Sequence, residues 1–208
     1  MEIDAALFDF GGVLVREGSV NDFARIAPHA DPEVVLRHAI GAYHEDEDHP
    51  WHRVERGELE MSEWYALTVA SLAEEGIEVV VPTGGGGTRS VLFTPNEPVV
   101  EAVRAVRAAG GRTAVVTNNV RELSDTWRPV LPLDELFDTV VDSCEVGLRK
   151  PNPAIYLLAC ERLGVDPQRT VLLDDIESNL RGAEGAGLRG IHVGPDPEPA
   201  VEALLALL

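Results

Sequence analysis

The chain has 208 residues, enough for one α/β domain with a sizeable core and a smaller inserted or appended unit. Its 45% hydrophobic and 25% charged residues are ordinary for a soluble globular protein, and no apolar run approaches the length that spans a bilayer. A formal net charge of −19, from 36 acidic against 17 basic residues, argues against nucleic acid and anionic membranes as partners, because such a surface repels both.

The N-terminus, MEIDAALFDF, has no basic region before its apolar stretch, so no signal peptide is expected. Cys144 and Cys160 form no CxxC pair and suggest no disulfide framework. Both observations fit a reducing, cytoplasmic setting.

The first predicted element, from Ile3 to Phe10, is a mostly apolar buried strand that ends at Gly11 and Gly12. Residues 15–93 are more polar and helical in pattern. Apolar residues three or four apart recur in 23–26, 32–40 and 62–72, with Asp31 and Ser62 as expected N-caps of the last two. The segment from His44 to His52 is dense in acids and interrupted by Pro50. It reads as a solvated loop, although its histidines invite comparison with a transition-metal site. Gly84 to Gly87 lacks the following Lys-Ser/Thr of a phosphate loop and reads as a flexible loop.

Beyond Thr94 helices and strands alternate. Helices are predicted over 97–109, 153–163, 177–186 and 197–208, a short helix or turn over 134–137, and strands over 112–117, 139–142, 170–173 and 190–193. Alternation of this kind implies a doubly wound parallel sheet of Rossmann-like α/β class, covered by helices on both faces. The expected division is a core of residues 1–14 and 94–208, with an inserted helical cap over 15–93. In such sheets ligands bind beyond the carboxyl ends of the strands. Asp9, Thr117 and the pair Asp174-Asp175 all fall there.

Lys150 is the only lysine; the other basic side chains are arginines. One compact ammonium kept among guanidiniums is a functional hint. A carboxylate, a hydroxyl, a lysine and a carboxylate pair brought together would make an anion-handling site. Crowded carboxylates need a cation, and hard oxygen ligands select Mg2+.

Four segments carry a resemblance. Phe8-Asp9-Phe10-Gly11-Gly12-Val13-Leu14 resembles the first motif of the haloacid dehalogenase-like hydrolases, and Val115-Val116-Thr117-Asn118-Asn119 the second. Gly147-Leu148-Arg149-Lys150-Pro151, with Pro153, Ile155 and Tyr156, resembles the third. Leu172-Leu173-Asp174-Asp175-Ile176-Glu177-Ser178-Asn179 resembles the fourth. Arg56-Gly57-Glu58-Leu59, followed by Ser62, is similar to a cap segment of the phosphatase-like subgroup.

The resemblance implies a hydrolase with Asp9 as nucleophile and metal ligand and Asp175 as a direct ligand of Mg2+. It implies that Asp174 acts through a metal-bound water and that the Gly11 carbonyl completes the shell. Thr117, Asn118, Lys150 and the Gly11-Gly12 backbone are then expected to bind substrate, with Thr117 and Lys150 also catalytic. The implied partner is a small phosphorylated metabolite, hydrolysed through an aspartyl-phosphate by a monomer or homodimer.

One departure stands out. Family phosphatases carry a second aspartate two positions after the nucleophile, and Gly11 stands there. General acid–base help is typically worth about 10²–10⁴ in rate. Glu17 is near enough in sequence to be considered as a substitute. Two other readings stay open on this ground: a 2-haloacid dehalogenase, which needs no metal, and a catalytically weak phosphate- and metal-binding protein.

Overall fold

Four apolar residues in succession make β1 (Ala5–Phe8), a strand buried at every position. Its side chains alternate, Ala6 and Phe8 entering one core cluster while Ala5 and Leu7 enter another. A strand of this type is stable only between two layers of helices. The computed structural model, which describes residues 2–16, 26–79 and 93–208, shows both layers. Glu17, Phe23 to Arg25, and Gly84 to Gly87 lie outside the described residues.

After β1 the chain enters β2 (Val15–Arg16) and later three helices, α1 (Pro32–Ile40), α2 (Pro50–Glu55) and α3 (Met61–Glu74). It returns through β3 (Thr94–Pro95), which pairs antiparallel with β2. A two-stranded ribbon therefore carries both crossings to the helical insert. The three helices pack around Trp51, Val54 and Trp64, whose indoles meet edge to face at 5.2 Å. Val120, from the core, belongs to the same cluster.

The remaining elements alternate. They are α4 (Glu97–Ala108), β4 (Arg112–Thr117), α5 (Ser124–Trp127), α6 (Leu133–Leu136), β5 (Thr139–Asp142) and α7 (Ser143–Val146). Then come α8 (Pro153–Leu163), β6 (Thr170–Asp174), α9 (Glu177–Gly185), β7 (Arg189–His192) and α10 (Glu198–Leu205). Five parallel strands stand in the order β5-β4-β1-β6-β7. Helices α4 and α10 cover one face, and α8 and α9 the other. From β1 the chain winds outward to one side and from β6 to the other, so the crevice opens between these two neighbours.

The doubly wound sheet is as the alternation predicts, with element ends displaced by a few residues. Two local expectations need correction. Ser62 is not the N-cap of α3: the helix begins one residue earlier, and Glu60 at the cap donates its N–H to Glu63 Oε2 at 2.9 Å. Asp31 does cap α1, its Oδ1 accepting from Glu33 N at 2.9 Å.

The solvated-loop reading of His44 to His52 holds only for its exposed first half. Pro50 starts a helix rather than breaking one, since the first helical position needs no N–H donor. His49 Nδ1 accepts from Trp51 N at 3.1 Å, and Trp51 and His52 are buried. Among the described residues, these histidines form no cluster with metal-ligand spacing.

Burial, aided by the Arg149 cation, pushes the His52 pKa down to about 4. A histidine depressed in the folded state contributes stability above its unfolded pKa, and that stability is lost as pH falls toward the folded value. Urea denaturation from pH 7 to pH 4 should therefore show a loss that the His52→Gln variant lacks. The difference is expected to be about 1–3 kcal/mol.

Candidate active site

Asp9 follows β1 directly and donates its N–H to Leu173 O at 2.9 Å, which fixes it against β6. Its Oδ1 accepts from Phe10 N at 2.7 Å and forms an ion pair with Lys150 Nζ at 2.7 Å. The same ammonium lies 2.8 Å from Oδ2 of Asp174, the last residue of β6. The other Asp174 oxygen accepts from Ile176 N at 2.9 Å and from Asn179 Nδ2 at 3.0 Å. Lysine and both aspartates are buried.

The loop that carries Lys150 is clamped to the end of β4. Asn118 Oδ1 accepts from Lys150 N at 2.8 Å, and Asn118 Nδ2 donates to Lys150 O at 3.0 Å. The Asn118 carboxamide is therefore spent on the loop that carries Lys150. Thr117 is buried at the end of β4, on the strand beside β1.

Behind these residues a further set holds the geometry. Tyr156 OH donates to Asn179 O at 2.8 Å, tying α8 to α9. Gly182 lets α9 approach, because a Cβ there would collide with Pro151 O. Nothing in the sequence around Tyr156 signals its role, whereas the five-residue step from Asp174 to Asn179 is the signal for the other.

Carboxylate oxygens of Asp9, Asp174 and Asp175 lie within 4.8 Å of one another. Three carboxylates against one ammonium leave two uncompensated negative charges if all ionise. Burial first, then the neighbouring Asp174 and Asp175, raises the Asp9 pKa well above the ordinary carboxylate range, with Lys150 opposing. Asp175 is raised by burial and by Asp174. Burial works against the Lys150 ammonium, but Asp174 and Asp9 outweigh it and hold it protonated. A divalent cation would relieve this imbalance, and an all-oxygen set is the chemistry that suits Mg2+. The residues present thus fit the metal.

Gly12 stands at φ +75°, and a Cβ on it would overlap the Asp175 carboxylate. Gly12→Ala should cost about 1–2 kcal/mol from backbone strain alone. It should also displace the Asp175 carboxylate, and urea denaturation reads the combined cost. Cys144 is no competing nucleophile, since burial, then Asp142, pushes its thiol up to about 12.

The family description "haloacid dehalogenase-like hydrolase" matches residues 3–187. Acyl-CoA dehydrogenase family member 10 of Mus musculus is 35% identical over 98% of this chain, which spans 19% of that protein. Bifunctional epoxide hydrolase 2 of Rattus norvegicus is 28% identical over 93% of the chain and 37% of its own length. Over half of the chain, and 48% of its own length, a phosphorylated carbohydrates phosphatase of Thermotoga maritima is 36% identical. The fold is also that of a HAD family enzyme of Bacteroides thetaiotaomicron, crystallised with magnesium and inorganic phosphate. That likeness has a TM-score of 0.66 and 16% identity, covering 93% of this chain and 96% of the other. The chain thus spans well under half the length of the two mammalian relatives.

Proposed function

Because the chain belongs to the haloacid dehalogenase-like hydrolase family, we propose that it is a Mg2+-dependent phosphomonoesterase acting on a small phosphorylated metabolite. One observation carries this reading: Lys150 Nζ bridges Asp9 and Asp174, with the Asp175 carboxylate beside them. A dehalogenase attacks carbon and has no need of the third carboxylate, so the cluster favours the phosphatase. The half-chain likeness to a carbohydrate-phosphate phosphatase supports the same choice.

Asp9, Asp175 and the Gly11 carbonyl would hold Mg2+, with Asp174 acting through a metal-bound water. Bound there, Mg2+ supplies the positive charge that lets an anionic carboxylate approach an anionic phosphoryl group. Asp9 forms a bond to phosphorus as the ester P–O bond breaks, which leaves an aspartyl-phosphate and an alkoxide that takes a proton from water. Water then attacks phosphorus as the bond from Asp9 to phosphorus breaks, which releases inorganic phosphate carrying the water's proton and returns Asp9 as a carboxylate. Lys150 holds Asp9 in place and offsets charge on the transferring group; Thr117 and the Gly11-Gly12 backbone bind its oxygens. The helical insert would serve as the cap over this crevice.

Gly11 offers no carboxyl to protonate the leaving oxygen, so good leaving groups should gain most. Aryl phosphates are expected to turn over about 10²–10⁴ faster than alkyl phosphates. The test is phosphate release from both classes with Mg2+ and with EDTA, beside chloride release from 2-chloropropionate. Phosphate release indifferent to EDTA, or chloride release in its place, would contradict the proposal.

A further inference from the structure

The residues flanking Lys150 spend their side chains on the helical insert. Arg149 Nε donates to Glu55 Oε2 at 2.8 Å, and Glu55 is the last residue of α2. The same guanidinium donates to Glu45 O and lies 5.6 Å from the Tyr43 ring centroid. On the other side of Lys150, Asn152 Nδ2 donates to Asp46 Oδ2 at 2.9 Å. Arg149 is 0% and Glu55 2% exposed.

An ion pair shut away from water is a poor way to gain stability. Apolar groups of similar volume commonly do as well or better. What the pair fixes is position. From the sheet side the Lys150 backbone is held by Asn118; from the opposite side its neighbour Arg149 is held by α2. The insert is seated on the core elsewhere too. Met61 N donates to Glu122 Oε1 at 2.9 Å, and a Cβ on Gly57 would collide with Cys144 O.

We propose that Glu55 and Arg149 are positioning residues, a buried pair through which α2 holds the Lys150 ammonium between Asp9 and Asp174. The role of Lys150 in turnover rests on the phosphatase reading, whereas its placement by this pair does not.

Lys150 is the sole lysine, so amine modification of the full metal-free chain reads it beside the α-amino group alone. Acetic anhydride, followed by mass spectrometry, is the probe. Wild-type Lys150 should be protected. In Glu55→Gln, and in the apolar double variant Glu55→Leu/Arg149→Met, it should react about tenfold faster or more while the protein stays folded. Leu72→Ala, a cavity elsewhere in the insert, should leave Lys150 protected, which separates positioning from simple loss of stability. With p-nitrophenyl phosphate, the double variant should lose about tenfold in kcat with KM nearly unchanged. A folded double variant with Lys150 as protected as in wild type would overturn the proposal, and so would a wild-type Lys150 that reacts as freely as the α-amino group. Failure of the phosphatase reading looks different: no phosphate release from wild type, with the modification pattern intact.

Discussion

Asp9→Asn is expected to lower phosphate release by about 10³–10⁶, the range seen when a covalent nucleophile is removed from an otherwise intact site. The carboxamide matches the carboxylate in shape, so the loss is one of chemistry. Stability should move the other way or not at all. Burial makes ionised Asp9 unfavourable in the metal-free protein, and Asp174 and Asp175 add to that. A carboxyl raised in the folded state loses its contribution as pH rises through the folded pKa. At neutral pH without divalent cation, Asp9→Asn should therefore be at least as resistant to urea as wild type. Loss of activity together with loss of fold would point to a structural aspartate instead.

Lys150→Arg should cost about 10²–10³ in kcat/KM although the charge is kept. The ammonium reaches two carboxylates, at 2.7 and 2.8 Å, from a side chain 1% exposed. A planar guanidinium is larger and needs a different hydrogen-bond geometry. The Asn118 clamp on the Lys150 N–H and carbonyl leaves the backbone little room to retreat. Steady-state kinetics on an aryl phosphate with saturating Mg2+ read the effect. Unchanged kinetics would make the solitary lysine a coincidence of composition.

The sheet was legible because its strands declare themselves by burial on both faces and by helices between them. Asp9 and the Asp174-Asp175 pair were legible as polar residues at strand ends, and Lys150 as the one lysine. Other features left no local signal. The Arg149–Glu55 pair joins residues 94 apart, and neither residue breaks the pattern of its own segment. Pro50 suggested an interruption because proline ends helices as readily as it begins them; the packing of Trp51 and Val54 decides. The carboxamide of Asn118 suits a phosphate or a peptide backbone equally, and its partner emerges only once β4 and the Lys150 loop are side by side. Phe23 to Arg25 and Gly84 to Gly87 lie outside the described residues, so the sequence remains the guide there.

On the proposed function, Asp9 carries the phosphoryl group during turnover. Acid quenching during turnover of a labelled aryl phosphate with Mg2+, followed by peptide mapping, tests it most directly. A phosphorylated aspartate is expected at position 9 in wild type and none in Asp9→Asn. Steady turnover with no label on Asp9, or label on another residue, would contradict it.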